Sequence, residues 1–397
     1  MKRFLFLFFI TLSGVSAMAQ TNVPDRMEDS AYCHWLSKRF DAVRYKETLP
    51  CSPGWRYDSI YSDEFEGAAV NTNKWLIYNQ YILLNNTNMG YMGDTAHVRI
   101  DNGKLVLNVT ENTNGLTFVP WSIDTTFVPL FLSGGIRTHD RIRYGYLETE
   151  CYLPKNCHYW PCFWTHANDD SIREYGEVDV FERTQSNKTD YPTVIRQNCY
   201  DDIDYDEWSS CTQVLDFPDS ITGKTTVFGV EILPMELVFY VNGRVSSRLR
   251  YSPTDCNSWN TLTCTDIEEL LPMRMRLSLN CQHAINEIPQ PHEPAWFSYA
   301  RCYKLVRGET DTFHPTNFVP SEESTKVYPH VILGGTGCTA SVNTPTAIWA
   351  EQDIVFDKGF VLSSGTTFTA RVIRVPDPAH SPLYIQNCHQ QPQNTHP

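Results

Sequence analysis

Short segments in which apolar and polar residues alternate recur along this chain, and turn signals separate them. Lys104-Leu-Val-Leu-Asn-Val109 follows the turn Asp101-Asn-Gly103. Tyr146-Leu-Glu-Thr-Glu-Cys-Tyr-Leu153, Val227-Phe-Gly-Val-Glu-Ile232 and Leu237-Val-Phe-Tyr-Val241 come next, the last closed by Asn242-Gly243. Met273-Arg-Met-Arg-Leu-Ser-Leu279 alternates cleanly, and Trp296-Phe-Ser-Tyr-Ala-Arg-Cys-Tyr303 ends the series. Successive side chains of a strand point to opposite faces, so a period of two bounded by Gly, Asn, Asp and Pro marks strands and hairpins. No long stretch carries a helical period. The pattern predicts an all-β chain, an antiparallel β-sandwich of the jelly-roll, concanavalin-like type.

At 397 residues the chain is longer than one such domain of roughly 200–250 residues. The alternating series occupies about 57–305. Residues 20–56 read as an N-terminal extension with Cys33 and Cys51. Residues 306–330 are polar, hold Pro315, Pro320 and Pro329, and read as a linker. Residues 331–397 carry Ile348-Trp-Ala-Glu-Gln-Asp-Ile-Val-Phe356 and Thr366-Thr-Phe-Thr-Ala-Arg-Val372, which predict a small C-terminal β module with a frayed end.

The segment Gly176-Glu-Val-Asp-Val-Phe-Glu182 concentrates the chemistry. In a strand, Glu177 and Asp179 share a face and strict alternation sends Glu182 to the other. One extra residue in a β-bulge shifts the register and brings Glu182 back to join them. Three carboxylates on one face repel, and such an arrangement is usually kept for a function. Retaining glycoside hydrolysis needs it: one carboxylate attacks the anomeric carbon while a second, about 5–5.5 Å away, protonates the leaving oxygen. A solvated acidic strand or a Ca²⁺ site is the bland alternative, and the spacing alone leaves the two even.

Residues 1–19 read as an export signal: Lys2 and Arg3, the apolar run Phe4 to Leu12, then the cleavage pattern Ala17-Met-Ala19. A secreted protein is therefore expected, extracellular, periplasmic or held at the cell surface. No other apolar run approaches the roughly 18 residues needed to span a membrane. The thirteen cysteines all lie in the exported part, where disulfides are permitted; the odd number leaves at least one thiol unpaired. A net charge of −14 repels phosphate backbones and excludes nucleic acid as the natural partner. Aromatic residues at 13% suit both a strand-rich core and platforms for sugar rings. A monomer acting on a polysaccharide is expected.

An ordered set of motifs resembles glycoside hydrolase family 16, the laminarinase, lichenase, agarase and carrageenase group. The set runs through Tyr61-Ser-Asp-Glu-Phe-Glu-Gly67, Asn73-Lys-Trp75, Ser133-Gly-Gly-Ile-Arg137, Tyr144-Gly-Tyr-Leu-Glu148 and Tyr159-Trp-Pro-Cys-Phe-Trp164. The bulged active-site motif Gly176 to Glu182, then Phe239-Tyr-Val-Asn-Gly243 and Tyr299-Ala-Arg-Cys-Tyr303, complete it. The resemblance implies a retaining endo-β-glycosidase acting on a β-glucan or marine galactan. Glu177 would be its nucleophile, Glu182 the general acid/base and Asp179 the assisting acid. It implies Trp160 and Trp164 as cleft aromatics, Trp160 being the better stacking candidate, and Arg137 as a cleft residue. The family's next strand often carries a sugar-contacting His; Val194-Ile-Arg-Gln-Asn198 has none, leaving Gln197 or Asn198 as substitutes. Ser298 stands where the family often has an Asp that helps bind a structural Ca²⁺, which leaves that ion open, and no cofactor is expected. A non-catalytic carbohydrate-binding jelly roll and a transglycosylase are the competing functions.

Overall fold

The computed structural model describes residues 55–82, 89–120, 126–155, 159–167, 175–183, 194–202, 209–217, 220–234, 236–251, 261–262, 273–281, 292–316, 318, 324, 326–335, 340–342, 346–364 and 368–373. The expected signal and all but the end of the N-terminal extension lie outside them. Among the described residues there is no α-helix, and no helix long and apolar enough to cross a membrane.

Two antiparallel sheets make the sandwich. One has seven strands in the order Ser209–Asp216, Val194–Asp202, Tyr175–Glu182, Tyr159–His166, Arg274–Cys281, Gly135–Thr138, Trp75–Ile77. The other has nine and is centred on Thr225–Ile232, Gly145–Tyr152 and Ala295–Lys304, which pair side by side. The core lies between them. Ile136, Phe163, Val178, Phe181, Ile195, Leu277 and Leu279 project from the first sheet, and Leu147, Phe228, Val230, Phe239 and Phe297 from the second. Phe181 and Phe228 stack across the gap with ring centroids 4.1 Å apart. The alternation in the sequence thus becomes one buried face per sheet.

The far face of the nine-stranded sheet is covered too. Glu231, buried there, accepts the Trp55 indole N–H at 3.2 Å and an Arg371 N–H at 2.5 Å. Arg371 also reaches Glu236, and its guanidinium lies 4.8 Å from the Trp349 ring centroid. Trp349 meets Trp55 edge-on at 5.9 Å. The tail therefore docks against the sandwich through a buried ion pair and two indoles.

In the tail, the strands Thr312–Phe313, Val327–Leu333, Thr346–Phe356 and Phe368–Val372 pair in parallel. The stretch 306–330 is not a free linker: Val306, Phe318, Ser324 and Val327 are buried, and Phe313 stacks on Tyr328 at 5.0 Å. Pro-bearing polar sequence hid a few apolar anchors spaced too widely to show a period.

Among the described cysteines, Cys151, Cys162 and Cys302 are buried free thiols. The Ser298 hydroxyl donates to Glu150 at 2.7 Å.

Trp349→Ala removes an almost fully buried indole from the docking seam. Unfolding in urea should show a loss of about 3–5 kcal/mol, typical of Trp truncation in a core. A loss below about 1 kcal/mol would mean that the tail contributes little to the sandwich.

Candidate active site

The outward face of the seven-stranded sheet carries the polar residues, and pairing between strands aligns them in rows. Glu177 lies opposite His166, Asp179 opposite Trp164, and Glu182 opposite Cys162. On the next strand, Asn198 faces Asp179 and Arg196 faces Glu182. On the other side, Asn280, Ser278, Arg276 and Arg274 face Trp160, Cys162, Trp164 and His166. Arg137 extends the middle row beyond Arg276.

Glu182 joins this face because the strand is bulged. Phe163 pairs with Phe181 and Trp164 with Asp179, so Val180 has no opposite number on the preceding strand. Toward the following strand the register shifts between Asp179 and Glu182. Val180 and Phe181 both turn into the core, and the three acids share the outer face. Gln197, expected at the substrate, has no exposed surface. Its amide donates to the Val180 carbonyl at 3.2 Å and accepts from the Ser246 and Ser247 hydroxyls at 2.7 and 3.2 Å. Strand alternation puts Gln197 inward and Asn198 outward, so Gln197 holds the bulge rather than a sugar.

Asn198 donates to Asp179 Oδ2 at 2.8 Å and to Glu182 Oε2 at 2.5 Å. The half-buried Trp160 donates its indole N–H to Glu182 Oε1 at 3.1 Å, and the Cys162 thiol lies 4.0 Å from the same oxygen. Burial, then the charges of Glu182 and Glu177, push the Asp179 carboxyl well above the usual carboxylate range. Burial raises Glu182 as well, against the hydrogen bonds from Asp179, Trp160 and Asn198 that favour its charge. The hydrogen bond between the two acids pulls them in opposite senses, raising Asp179 and lowering Glu182, so burial leaves both above the ordinary carboxylate range with Asp179 pushed further.

The expected substrate residues separate accordingly. Trp160 stays out of the apolar core and keeps exposed surface beside Glu182. Trp164 does not offer a platform: it is buried, bonds Ser278 Oγ at 3.1 Å, and lies 4.7 Å from the Arg276 guanidinium. Arg137 is half-buried on the same face. His166 and Arg276 were not singled out from sequence. The signal was present: Trp160, Cys162, Trp164 and His166 alternate, as do Arg274, Arg276 and Ser278. A cavity of 330 Å³ lined by Tyr57, Asp63, Glu64 and Lys74 lies elsewhere and includes none of these residues. Among the described residues no cluster of three His, Cys, Asp or Glu could hold a metal ion.

No family model matches the chain. Among curated proteins it is similar to glucan endo-1,3-beta-glucosidase A1 of Niallia circulans, 28% identical over 137 residues. The match covers 31% of this chain and only 19% of that protein. Among solved structures, one described under endo-acting O-glycanases of the human gut microbiota that initiate mucin breakdown aligns with a TM-score of 0.50. It is 20% identical, over 65% of this chain and 93% of that one, a likeness that shows the fold. Porphyranase B of Zobellia galactanivorans aligns at 18% identity and a TM-score of 0.49, over 64% and 93% of the two chains.

The raised Asp179 acid has a stability consequence with a definite sign. A group whose folded pKa lies above its unfolded one contributes fully below the unfolded value, near 4, and loses that contribution as pH climbs toward the folded value. Asp179→Asn is neutral throughout and escapes the loss. The variant should melt above the wild type at pH 8, with the gap narrowing as pH falls to about 4. A gap independent of pH would contradict the assignment.

Proposed function

We propose that this chain is a secreted member of glycoside hydrolase family 16 that cleaves internal bonds of a β-linked polysaccharide with retention. The observation that carries the proposal is the bulge, which gathers Glu177, Asp179 and Glu182 on one face with Trp160 bonded to Glu182. Glu177 attacks the anomeric carbon, and the bond to the leaving oxygen breaks as Glu182 delivers its proton to that oxygen. The product of this half is a glycosyl ester on Glu177. Water then attacks the same carbon, gives its proton to Glu182, and frees the Glu177 carboxylate. The burial that raises Glu182 keeps its proton available at higher pH than an ordinary carboxyl would. Asp179, holding a proton toward Glu182, and Asn198, bonded to both, fix the acid in place. Trp160 does two jobs in this reading: its ring face covers a sugar while its N–H holds Glu182.

The printed activities of the relatives support a β-linked polysaccharide as the substrate class. The curated one is a glucan endo-1,3-beta-glucosidase, and the structural ones include a porphyranase and endo-acting O-glycanases. Laminarin, mixed-linkage glucan, agarose, porphyran, carrageenan and gastric mucin glycans form the panel for a reducing-end assay. Release of oligosaccharides rather than single sugars would establish endo action.

On the best substrate, Glu182→Gln should lower kcat by about 10²–10⁴-fold, the usual worth of a positioned acid/base. Glu177→Gln should lose at least as much, and Asp179→Asn less than either. Either Glu variant retaining near-normal turnover while folded would remove its assignment. Proton NMR of the fresh hydrolysate should show the β-anomer first; initial α-anomer would exclude the double-displacement route.

Trp160→Phe keeps an aromatic face and loses the N–H. It should leave KM within about threefold and lower kcat by about tenfold, the worth of a hydrogen bond to a charged group. A raised KM with unchanged kcat would make stacking the residue's only role.

A further inference from the structure

The acids of this face are matched, one strand away, by a cationic row that the reaction as written does not use. His166 sits opposite Glu177, with its Nε2 3.5 Å from Glu177 Oε2. Its Nδ1 is 3.3 Å from an Nη2 of Arg276, on the strand paired to the other side. Arg276 is almost fully buried and lies 4.7 Å from the Trp164 ring centroid. Trp164 is itself bonded to Ser278 and meets the His166 ring edge-on at 5.7 Å. The guanidinium has little room to move, and the imidazole is held between it and the acid.

We propose that His166, oriented by Arg276, is a positioning residue for the nucleophile Glu177; this rests on the catalytic reading above. A guanidinium has only donors, so the N–H facing Nδ1 can be met only by the Nδ1 lone pair. The imidazole must then carry its proton on Nε2, the atom that faces Glu177. The tautomer is set by a buried neighbour, in the way that an orienting group fixes the ring of a catalytic histidine. The Nε2–H donates to Glu177 Oε2, holds one carboxylate oxygen, and favours the ionised form that attack requires. The other oxygen is left to reach the anomeric carbon. A separation of 3.5 Å is at the outer edge of hydrogen bonding; such contacts in unliganded active sites tighten when substrate arrives.

The competing account is a buried histidine that satisfies the sheet. His166 does not fit it, because its strand neighbours Phe163 and Thr165 turn toward the core side while its own ring lies on the row of acids. Among the described residues, the charged groups facing the ring are Glu177 from one adjoining strand and Arg274 and Arg276 from the other.

Two polar substitutions separate the accounts. Gln places an amide N–H close to where Nε2 was and still reaches Glu177; Asn ends near Nδ1, meets Arg276 and stops short of the acid. Both are assayed in the full chain on whichever polymer of the panel the wild type cleaves fastest, beside Glu177→Gln. His166→Gln should retain kcat within about fivefold. His166→Asn should melt within a few degrees of His166→Gln and lose kcat by roughly 10- to 100-fold at nearly unchanged KM, the range for a hydrogen bond to a charged group. The acidic limb of its kcat/KM profile should move to higher pH, because Glu177 without its donor is harder to ionise. Equal activity of the two variants, whether both normal or both impaired with the limb unmoved, overturns the proposal. So does a rise in KM alone. An inactive Glu177→Gln beside a normal His166→Asn defeats this inference only; an active Glu177→Gln defeats the catalytic reading itself.

Discussion

Everything at this site depends on one surplus residue. Without a bulge at Val180 the strand would alternate strictly, presenting Glu177 and Asp179 outward and Glu182 to the core, where an unpaired carboxylate is far too costly to keep. With it, two apolar residues in succession, Val180 and Phe181, enter the core and the third acid returns to the working face. A bulge leaves a backbone group without its ladder partner, and here the Gln197 side chain supplies one at the Val180 carbonyl. Ser246 and Ser247, on a strand of the opposite sheet, tie Gln197 down in turn. The register of the acids is thus anchored through the core to the other half of the sandwich.

Electrostatics explains how three carboxyls can share that face. Burial and the neighbouring acids together make full ionisation expensive, and they push the Asp179 carboxyl well above the usual carboxylate range. The remaining two are held by different partners: Glu182 by Trp160 and Asn198, Glu177 by His166 with Arg276 behind it. Such unequal surroundings split the roles of like groups, one acid staying protonated while another attacks. The far side of the sandwich solves a similar problem differently. There Glu231 is buried beneath the tail and answered directly by Arg371 and Trp55.

Much of this was legible in the sequence, and the exceptions are instructive. Period-two runs announced the sandwich because each sheet turns an apolar face to the core and a more polar face away from it, and the E-x-D-x-x-E spacing announced the bulge as one of two options. Gln197 was misjudged because a missing histidine drew attention to its neighbourhood, whereas alternation from Asn198 already turned it inward. Trp164 looked like a platform, yet a cation from a strand over a hundred residues away covers it. That pairing, like His166 with Arg276, depends on which strands become neighbours, and no local pattern encodes it. The parallel tail escaped for the same reason: strands joined by crossovers leave no hairpin signal, and its anchor Phe318 lies in a Pro-bearing polar stretch.

The central claim is that Glu177 becomes covalently attached to sugar. The direct measurement uses a 2-deoxy-2-fluoro-β-glycoside with a dinitrophenyl leaving group, built on the disaccharide unit of the polymer the protein cleaves. Fluorine slows both steps, the activated leaving group restores the first, and the ester accumulates. Mass spectrometry of the digested protein should find one sugar equivalent on the peptide spanning Tyr175 to Phe181, with fragmentation placing it on Glu177. A label on Glu182 or Asp179, or cleavage of the parent polymer with no covalent species formed, would contradict the account.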